Sequence, residues 1–236
     1  MNHPFQFRQF QVFHDQSSMK IGTDATLLGA IANPNGSKKI LDIGTGCGVI
    51  SLMLAQKTIA TIDAIDIDKA SADEATLNFQ NSPWANRLHA KHASLQHYAS
   101  HGPHDYDTIV ANPPFFSRSL KNRDSSKAMA RHNDSLPFSY LLETGYKLSS
   151  EKANMWLILP EVNHQDLLSL TLDLGWNIHA VLNIHPKPDK PANRVVYHLR
   201  KCETKGFHIR RLIIRQLDGS YTTDYNHLLK DYLLHL

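Results

Sequence analysis

Cysteine is scarce in this chain: Cys47 and Cys202 are the only two among 236 residues, too few for a disulfide framework. Long apolar runs are missing too, and nothing approaches the roughly 18 consecutive apolar residues that a membrane-spanning helix needs. The first residues, Met1-Asn2-His3-Pro4-Phe5-Gln6, lack the basic-then-apolar pattern of a signal peptide. Histidine is plentiful, with 15 copies, yet none falls in an H-E-x-x-H or Cys/His spacing that would hold a metal. Nor does one sign of charge dominate. The formal net charge of +3 is too small to argue for a nucleic-acid partner by itself. These absences exclude a disulfide-stapled secreted scaffold, a helical membrane protein and a zinc module, and a cytoplasmic, metal-free enzyme is the expectation.

What is present has the composition of a folded domain, 42 % hydrophobic and 20 % charged. Apolar strands alternate with helical patterns. Lys39-Ile40-Leu41-Asp42-Ile43, residues 60–68, 87–92 and 107–111 read as strands, and residues 25–32, 69–80 and 136–148 as helices. Thr23 or Asp24 is expected to cap the first of these helices, with cap and surface charge weighed evenly against a functional role for Lys20, Thr23 and Asp24. Asp68 is a candidate cap for the helix at 69–80. Residues 176–184 and 194–200 flank His185-Pro186-Lys187-Pro188-Asp189-Lys190-Pro191, a link too short for a crossover helix, so they should pair antiparallel. Phe5 to Phe13 reads as a hairpin, and residues 207–215 as a strand before a final amphipathic helix. Arg210, Arg211 and Arg215 on that strand suit either a phosphate-facing patch or edge charges that block aggregation. The expectation is a single α/β domain over 1–236: hairpin and helix at 1–34, core at 35–201, strand–helix extension at 202–236.

Three stretches carry chemistry. After the strand at 39–43 comes Gly44-Thr45-Gly46-Cys47-Gly48 and then a helical pattern, a turn where backbone can approach a ligand without a Cβ in the way. The dinucleotide fingerprint would need a glycine at Val49, so pyrophosphate is the weaker reading. The strand at 60–68 ends in acids, and Asp66 is placed to accept hydrogen bonds from both hydroxyls of a ribose. Asn112-Pro113-Pro114-Phe115 follows the strand Asp107-Thr108-Ile109-Val110-Ala111 at the end where open α/β sheets bind ligands. Its two fixed acceptors beside a flat ring suit an amino group on a planar base. Downstream, Arg118, Lys121, Arg123, Lys127, Arg131 and His132 sit in a stretch poor in apolar residues. A solvated loop is one reading of it. Its position directly after the tetrapeptide favours the other, a flap that meets RNA phosphates.

Asp42 ahead of Gly44-x-Gly46-x-Gly48 resembles the first motif of S-adenosylmethionine-dependent methyltransferases. The order Met19-Lys20-Ile21-Gly22-Thr23-Asp24, Leu41-Asp42-Ile43-Gly44-Thr45-Gly46, Ser82-Pro83-Trp84-Ala85 and Asn112-Pro113-Pro114-Phe115 is similar to the bacterial tRNA1(Val) adenine-N6-methyltransferase family, and Gly219-Ser220-Tyr221-Thr222 agrees with it. The resemblance covers nearly the whole chain. It implies a Rossmann-like fold: a doubly wound, mostly parallel, seven-stranded sheet with a late antiparallel hairpin.

The resemblance also implies S-adenosylmethionine as cofactor, held by Lys20, Thr23, Asp24, Asp42, Gly44, Thr45, Gly46, Cys47, Gly48, Asp66, Ile67, Ala93, Ser94 and Asn112. Ser94 stands where the family often has an Asp facing the cofactor adenine. Asn112, Pro113, Pro114 and Phe115 would act on N6 of the adenine 3′ of the anticodon in a valine tRNA. Same-chemistry rivals are guanine-N2 methylation of ribosomal RNA and glutamine methylation of release factors. From other classes, the rivals are an RNA-binding protein that keeps the fold without turnover and a nicotinamide-dependent oxidoreductase. No membrane and no metal enter the expectation.

Overall fold

A computed structural model describes residues 3–113, 137–203 and 206–235. The chain starts with a short antiparallel hairpin, β1 (Phe5–Gln6) and β2 (Gln11–Val12), followed by α1 (Thr23–Ile31). Three strand–helix steps come next: β3 (Lys39–Ile43) with α2 (Val49–Ala55), β4 (Thr61–Asp66) with α3 (Lys69–Gln80), and β5 (Leu88–His92) with α4 (Leu95–His101). Then follow β6 (Tyr106–Ala111), α5 (Phe138–Leu148), β7 (Ser149–Pro160) and α6 (His164–Asp173). The chain ends with β8 (Asn177–His185), β9 (Arg194–Arg200), β10 (His208–Ile213) and α7 (Thr223–Leu229).

Eight strands form one sheet in the order β10-β8-β9-β7-β6-β3-β4-β5. All neighbouring pairs are parallel except those made by β9, which runs antiparallel to both β7 and β8. The late hairpin is therefore as expected, while the sheet has eight strands and not seven. The added one is β10, which pairs with β8 at the edge through Ile209↔Val181 and its neighbours. Four of its six residues are exposed, so its sequence shows little of the apolar signal that marks a sheet strand.

Both faces of the sheet are covered, which is why the central strands read as near-continuous apolar runs. Alternation along each strand divides the core in two. Ile40, Trp156 and Ile158 point to one cluster with Leu27 and Leu28 of α1, Leu52 of α2, Phe79 of α3 and Leu229 of α7. Leu41, Ile43, Met155 and Leu157 point to the other, with Tyr98 of α4, Leu141 of α5 and Leu167 of α6.

The expected cap of α1 needs correction. Gly22 is the N-cap, and no side chain caps it. Thr23 and Asp24 are already inside the first turn, where Asp24 favours the helix dipole and pairs with Arg194 at 2.8 Å. Asp68 does cap α3, accepting from Ser71 N at 3.0 Å.

The chain leaves β3 for β4 and β5 on one side and returns to β6 on the other, so the order switches between β3 and β6. Register pairs Ile43 with Ala111 across that switch. Gly44 and Asn112, the next residues of each strand, thus emerge side by side at the sheet's C-terminal edge. Ligands of open α/β sheets bind in the crevice at such a point.

Candidate active site

The glycine turn is held by the strand next to it. Gly44 N and Thr45 N both donate to Ile65 O of β4, at 2.9 and 3.0 Å, and Gly48 N closes the turn on Thr45 O at 2.9 Å. Its three glycines have φ of 72°, 55° and 84°, in the left-handed region that side chains avoid. They are not equivalent. A Cβ on Gly48 would meet Phe79 Cε1 at 2.5 Å, so that glycine admits the packing of α3. A Cβ on Gly44 or Gly46 would find nothing within 4 Å. Both of these line an open cavity of about 420 Å³, inside the usual range for small-molecule sites.

Two carboxylates set the shape of the turn. Asp42 is fully buried, and its Oδ2 accepts from Thr45 Oγ1 at 2.8 Å and Ser51 Oγ at 2.7 Å. Burial raises its pKa to about 6, against the pull of those two hydroxyls. Asp66, at the tip of β4, accepts from Gly46 N at 2.8 Å and Asp68 N at 2.9 Å. Burial raises this carboxyl also. Asp42 thus braces the turn from beneath, and Asp66 fixes its outer arm.

One wall of the cavity comes from the segment before α1. Lys20, Thr23 and Asp24 line it together with Thr45, Cys47 and Asn112. What places that segment is α3. Glu74 accepts from the backbone N–H groups of Asp15, Gln16 and Ser17 at 2.8–2.9 Å. Asn78 accepts from Phe13 N at 2.8 Å and donates to Phe13 O and Cys47 O, joining the segment to the glycine turn. Lys20, 66 % exposed, reaches back to Asp15 at 3.4 Å. Arg194, at the start of β9, completes the wall through its pair with Asp24.

Asn112 and Pro113 close the opposite side. Asn112 Oδ1 is buried and has no hydrogen-bond partner among the described residues. An acceptor stranded in this way costs about 1–3 kcal/mol unless something donates to it. Asp42 Oδ1 is stranded in the same way beneath the turn, but Asn112 lines the cavity, so its oxygen is the one a ligand can reach.

Six of the expected residues are not in the cavity wall: Asp42 is buried beneath the turn, Gly48 packs against α3, and Asp66, Ile67, Ala93 and Ser94 lie to one side. Asp66 and Ile67 end β4, and Ala93 and Ser94 follow β5, one strand further out. Ser94 caps α4 by accepting from His97 N at 3.2 Å. Ala93 N donates to Asp66 O, and Ile67 is 68 % exposed. Pro114, Phe115, Arg118, Lys121, Arg123, Lys127, Arg131 and His132 fall outside the described residues. Glu74, Asn78 and Arg194 were not anticipated. For the first two the signal available was Ser71, Glu74 and Asn78, polar residues at helical spacing on a buried face; for Arg194 there was none.

Cys47 is buried and its thiol is pushed up to about 12, chiefly by burial, so it is no nucleophile. No group of three His, Cys, Asp or Glu among the described residues could hold a metal. No helix among them is long and apolar enough to cross a membrane.

Comparison with known proteins gives the family. The methyltransferase small domain family matches residues 9–136. The chain is 37 % identical over 236 residues to the tRNA1(Val) (adenine(37)-N6)-methyltransferase of Proteus mirabilis, spanning 98 % of this chain and 94 % of that protein. It is 34 % identical over 232 residues to the protein of that name from Yersinia pestis, with 98 % and 93 % covered. Among solved structures, a protein of Agrobacterium tumefaciens described as a predicted O-methyltransferase superposes with a TM-score of 0.69 at 17 % identity, over 89 % of this chain and 96 % of that one. The magnesium protoporphyrin IX methyltransferase of Synechocystis, solved with bound S-adenosylmethionine, gives 0.53 at 18 % over 75 % and 76 %. At such identities these two establish the fold alone. With glycine turn, paired acids and Asn112 assembled at the switch point of the sheet, the chain belongs to the tRNA1(Val) (adenine(37)-N6)-methyltransferase family of the class I methyltransferases.

Proposed function

We propose that the protein transfers a methyl group from S-adenosylmethionine to N6 of adenine 37, the base 3′ of the anticodon, in tRNA1(Val), acting in the cytoplasm as a single methyltransferase domain. The observation that carries this reading is the stranded acceptor Asn112 Oδ1, buried beside a glycine turn with open space at Gly44 and Gly46.

The residues fit the cofactor. Gly44, Thr45, Gly46 and Cys47 offer it bare backbone, Gly48 lets the turn pack on α3, and Asp42 keeps that backbone in shape through Thr45 and Ser51. Asp66 has lone pairs left for ribose hydroxyls after its two backbone bonds. Ile67, Ala93 and Ser94 would hold the adenine end, and Lys20, Thr23 and Asp24 would hold the other end. When bound, the cofactor supplies an electrophilic methyl group on a positively charged sulfur.

The chain has to correct a weak nucleophile. The lone pair of an adenine N6 is delocalised into its ring. Asn112 Oδ1 and the Pro113 carbonyl accept its two hydrogens, which favours a pyramidal nitrogen with its lone pair free. Phe115, two residues on in the chain, supplies a ring for the splayed base to stack on. Holding the amine in line is the main catalytic contribution. As the N–C bond forms, the methyl group's bond to sulfur would break with its electron pair staying on the neutral thioether, and one amine proton leaves to solvent. No acid–base histidine is required. A base in an anticodon loop is unstacked more cheaply than one in a duplex.

Mass spectrometry of nucleosides from tRNA incubated with enzyme and cofactor tests the reading. N6-methyladenosine is expected, with Asn112→Ala losing turnover and keeping cofactor affinity within about threefold. N2-methylguanosine in its place, or full turnover by Asn112→Ala, would overturn it.

A further inference from the structure

A second cavity, about 530 Å³, opens on the same face of the sheet as the first. The two are neighbours along β8: Leu182 lines the second and Ile184 the first. Those residues are one pleat repeat apart, about 7 Å at 3.3 Å per residue. Trp156, His179, His198, Arg200, His208 and Arg210 give the second cavity its chemistry. Nothing derived above for methyl transfer uses any of them.

Its wall contains no Asp or Glu among the described residues, so the Arg200 and Arg210 cations gather there without a counter-ion from them. Trp156 stacks on His198 at 3.9 Å and 12°, and His198 Nε2 lies 2.8 Å from Asn154 Oδ1. His179 stands edge-on to both His198 and His208, at 4.9 and 5.5 Å. Burial, with Arg200 nearby, pushes the imidazoles of His198 and His179 below their usual range, His198 to about 3. An anion among them would relieve that.

The hydrogen-bond accounting has the same sign. Trp156 Nε1, Arg200 Nε and His179 Nδ1 are buried with no partner among the described residues. The indole and guanidinium nitrogens can only donate. Trp156 itself is only 9 % exposed, so its N–H has little access to bulk water. Buried donors left in surplus require an acceptor, and buried polar groups in native proteins are nearly always paired. The alternative of a structural cluster satisfied from within is poorly served here: of the three asparagines in the wall, Asn154 serves His198 and Asn33 accepts from Asn35 N at 3.1 Å, and among the described residues no acceptor reaches Trp156 Nε1 or Arg200 Nε.

We propose that this cavity binds a phosphate group carried by a nucleotide, with Arg200, Arg210 and the Trp156 indole as its donors. The source that follows from the neighbouring site is the RNA substrate. A backbone phosphate a few nucleotides from the methylated base would reach the cavity while that base occupies the first. The choice of RNA rests on the proposed function; the phosphate site does not. A free mononucleotide is the other source of the same chemistry.

Tryptophan fluorescence separates the cases. The full-length protein is titrated with inorganic phosphate, with adenosine monophosphate and with an anticodon stem-loop RNA, beside Trp156→Phe as the control that removes the reporter and its N–H. A saturable change, absent in Trp156→Phe, is expected with phosphate-bearing ligands and not with chloride at equal ionic strength. Arg210 is exposed, so Arg210→Gln keeps the fold, and it should weaken that binding at least fivefold. If RNA is the source, Arg210→Gln also raises KM for RNA with kcat unchanged. The slope of log affinity against log salt then falls by about 0.7–0.9, the value of one phosphate contact. If only the mononucleotide responds, the site takes free nucleotide. Cofactor affinity, read by calorimetry, stays at the wild-type value in either case. Absence of any phosphate-dependent signal, or equal affinities for wild type and Arg210→Gln, would overturn the proposal while leaving the methylation reading untouched.

Discussion

Two glycines two residues apart should fail in opposite ways when given a methyl group. Gly46 and Gly48 both have positive φ, so alanine at either costs about 1–2 kcal/mol of backbone strain. At Gly48 the new Cβ also meets Phe79 at 2.5 and 3.0 Å and Ala75 at 3.3 Å. Ring and helix are both packed in the core, so a further 1–3 kcal/mol, roughly, of overpacking applies. At Gly46 the Cβ meets nothing, but it stands in the wall of the cavity assigned to the cofactor. The same one to three kcal/mol, roughly, of steric cost then falls on binding, about a five- to 150-fold loss of affinity. Urea denaturation without cofactor reads the first quantity, and calorimetric titration with S-adenosylmethionine reads the second. Gly48→Ala should lose about 2–5 kcal/mol of stability and, where folded, bind within about threefold of wild type. Gly46→Ala should lose only about 1–2 kcal/mol and bind at least fivefold more weakly. Wild-type affinity in Gly46→Ala would refute the reasoning, since its open Cβ space would then not be ligand space. Equal losses of stability in the two variants would refute the packing half.

Asp42→Asn removes a carboxyl whose pKa is about 6 in the fold against 3.8 when exposed. A raised pKa means its stability contribution is full below 3.8 and is lost as pH climbs through 6, so the ionised form is about 3 kcal/mol worse off at neutral pH. The neutral amide escapes this, and the stability of Asp42→Asn relative to wild type should rise by about that amount between pH 4 and pH 7 and then level off; a difference that ignores pH in denaturation curves would sink the argument. Glu74→Gln keeps shape but leaves one acceptor oxygen for three backbone donors. It should cost about 2–3 kcal/mol and weaken cofactor binding severalfold by loosening the segment that carries Lys20, which paired denaturation and titration measurements would detect.

The parts of this molecule that could be read from the chain are those whose cause is local. The helix expected at 69–80 is α3 as observed, because an acidic cap, a helical run and Asn81-Ser82-Pro83 all lie within it or at its ends. The antiparallel hairpin of β8 and β9 followed from the length of one link. α4 went unseen. It has seven residues, fewer than two full helical periods, and three of them are His or Gln. β10 was legible as a strand but not as a member of the sheet, since its partner β8 lies on the far side of β9 in the chain and its own residues are mostly exposed.

The site divides along the same line. Gly44, Gly46, Asp66 and Asn112 each end a strand, and a parallel sheet brings such ends together whatever else the chain does. Their meeting is a property of topology, so short motifs sufficed to find them. Glu74, Asn78 and Arg194 work through partners 31 to 170 residues away. A carboxylate that orders a remote loop looks, in sequence, like any other helical Glu. This asymmetry has a consequence for the two cavities. The first is built mainly from strand ends, and the family motifs describe it. The second is built from side chains of β7, β8, β9 and β10 that meet across the sheet, with no motif of their own. β9 and β10 also bring Arg194 to the wall of the first cavity and Ile214 beside it. The late strands therefore shape both cavities along one face, and a substrate that engages the first at Asn112 has the second within reach.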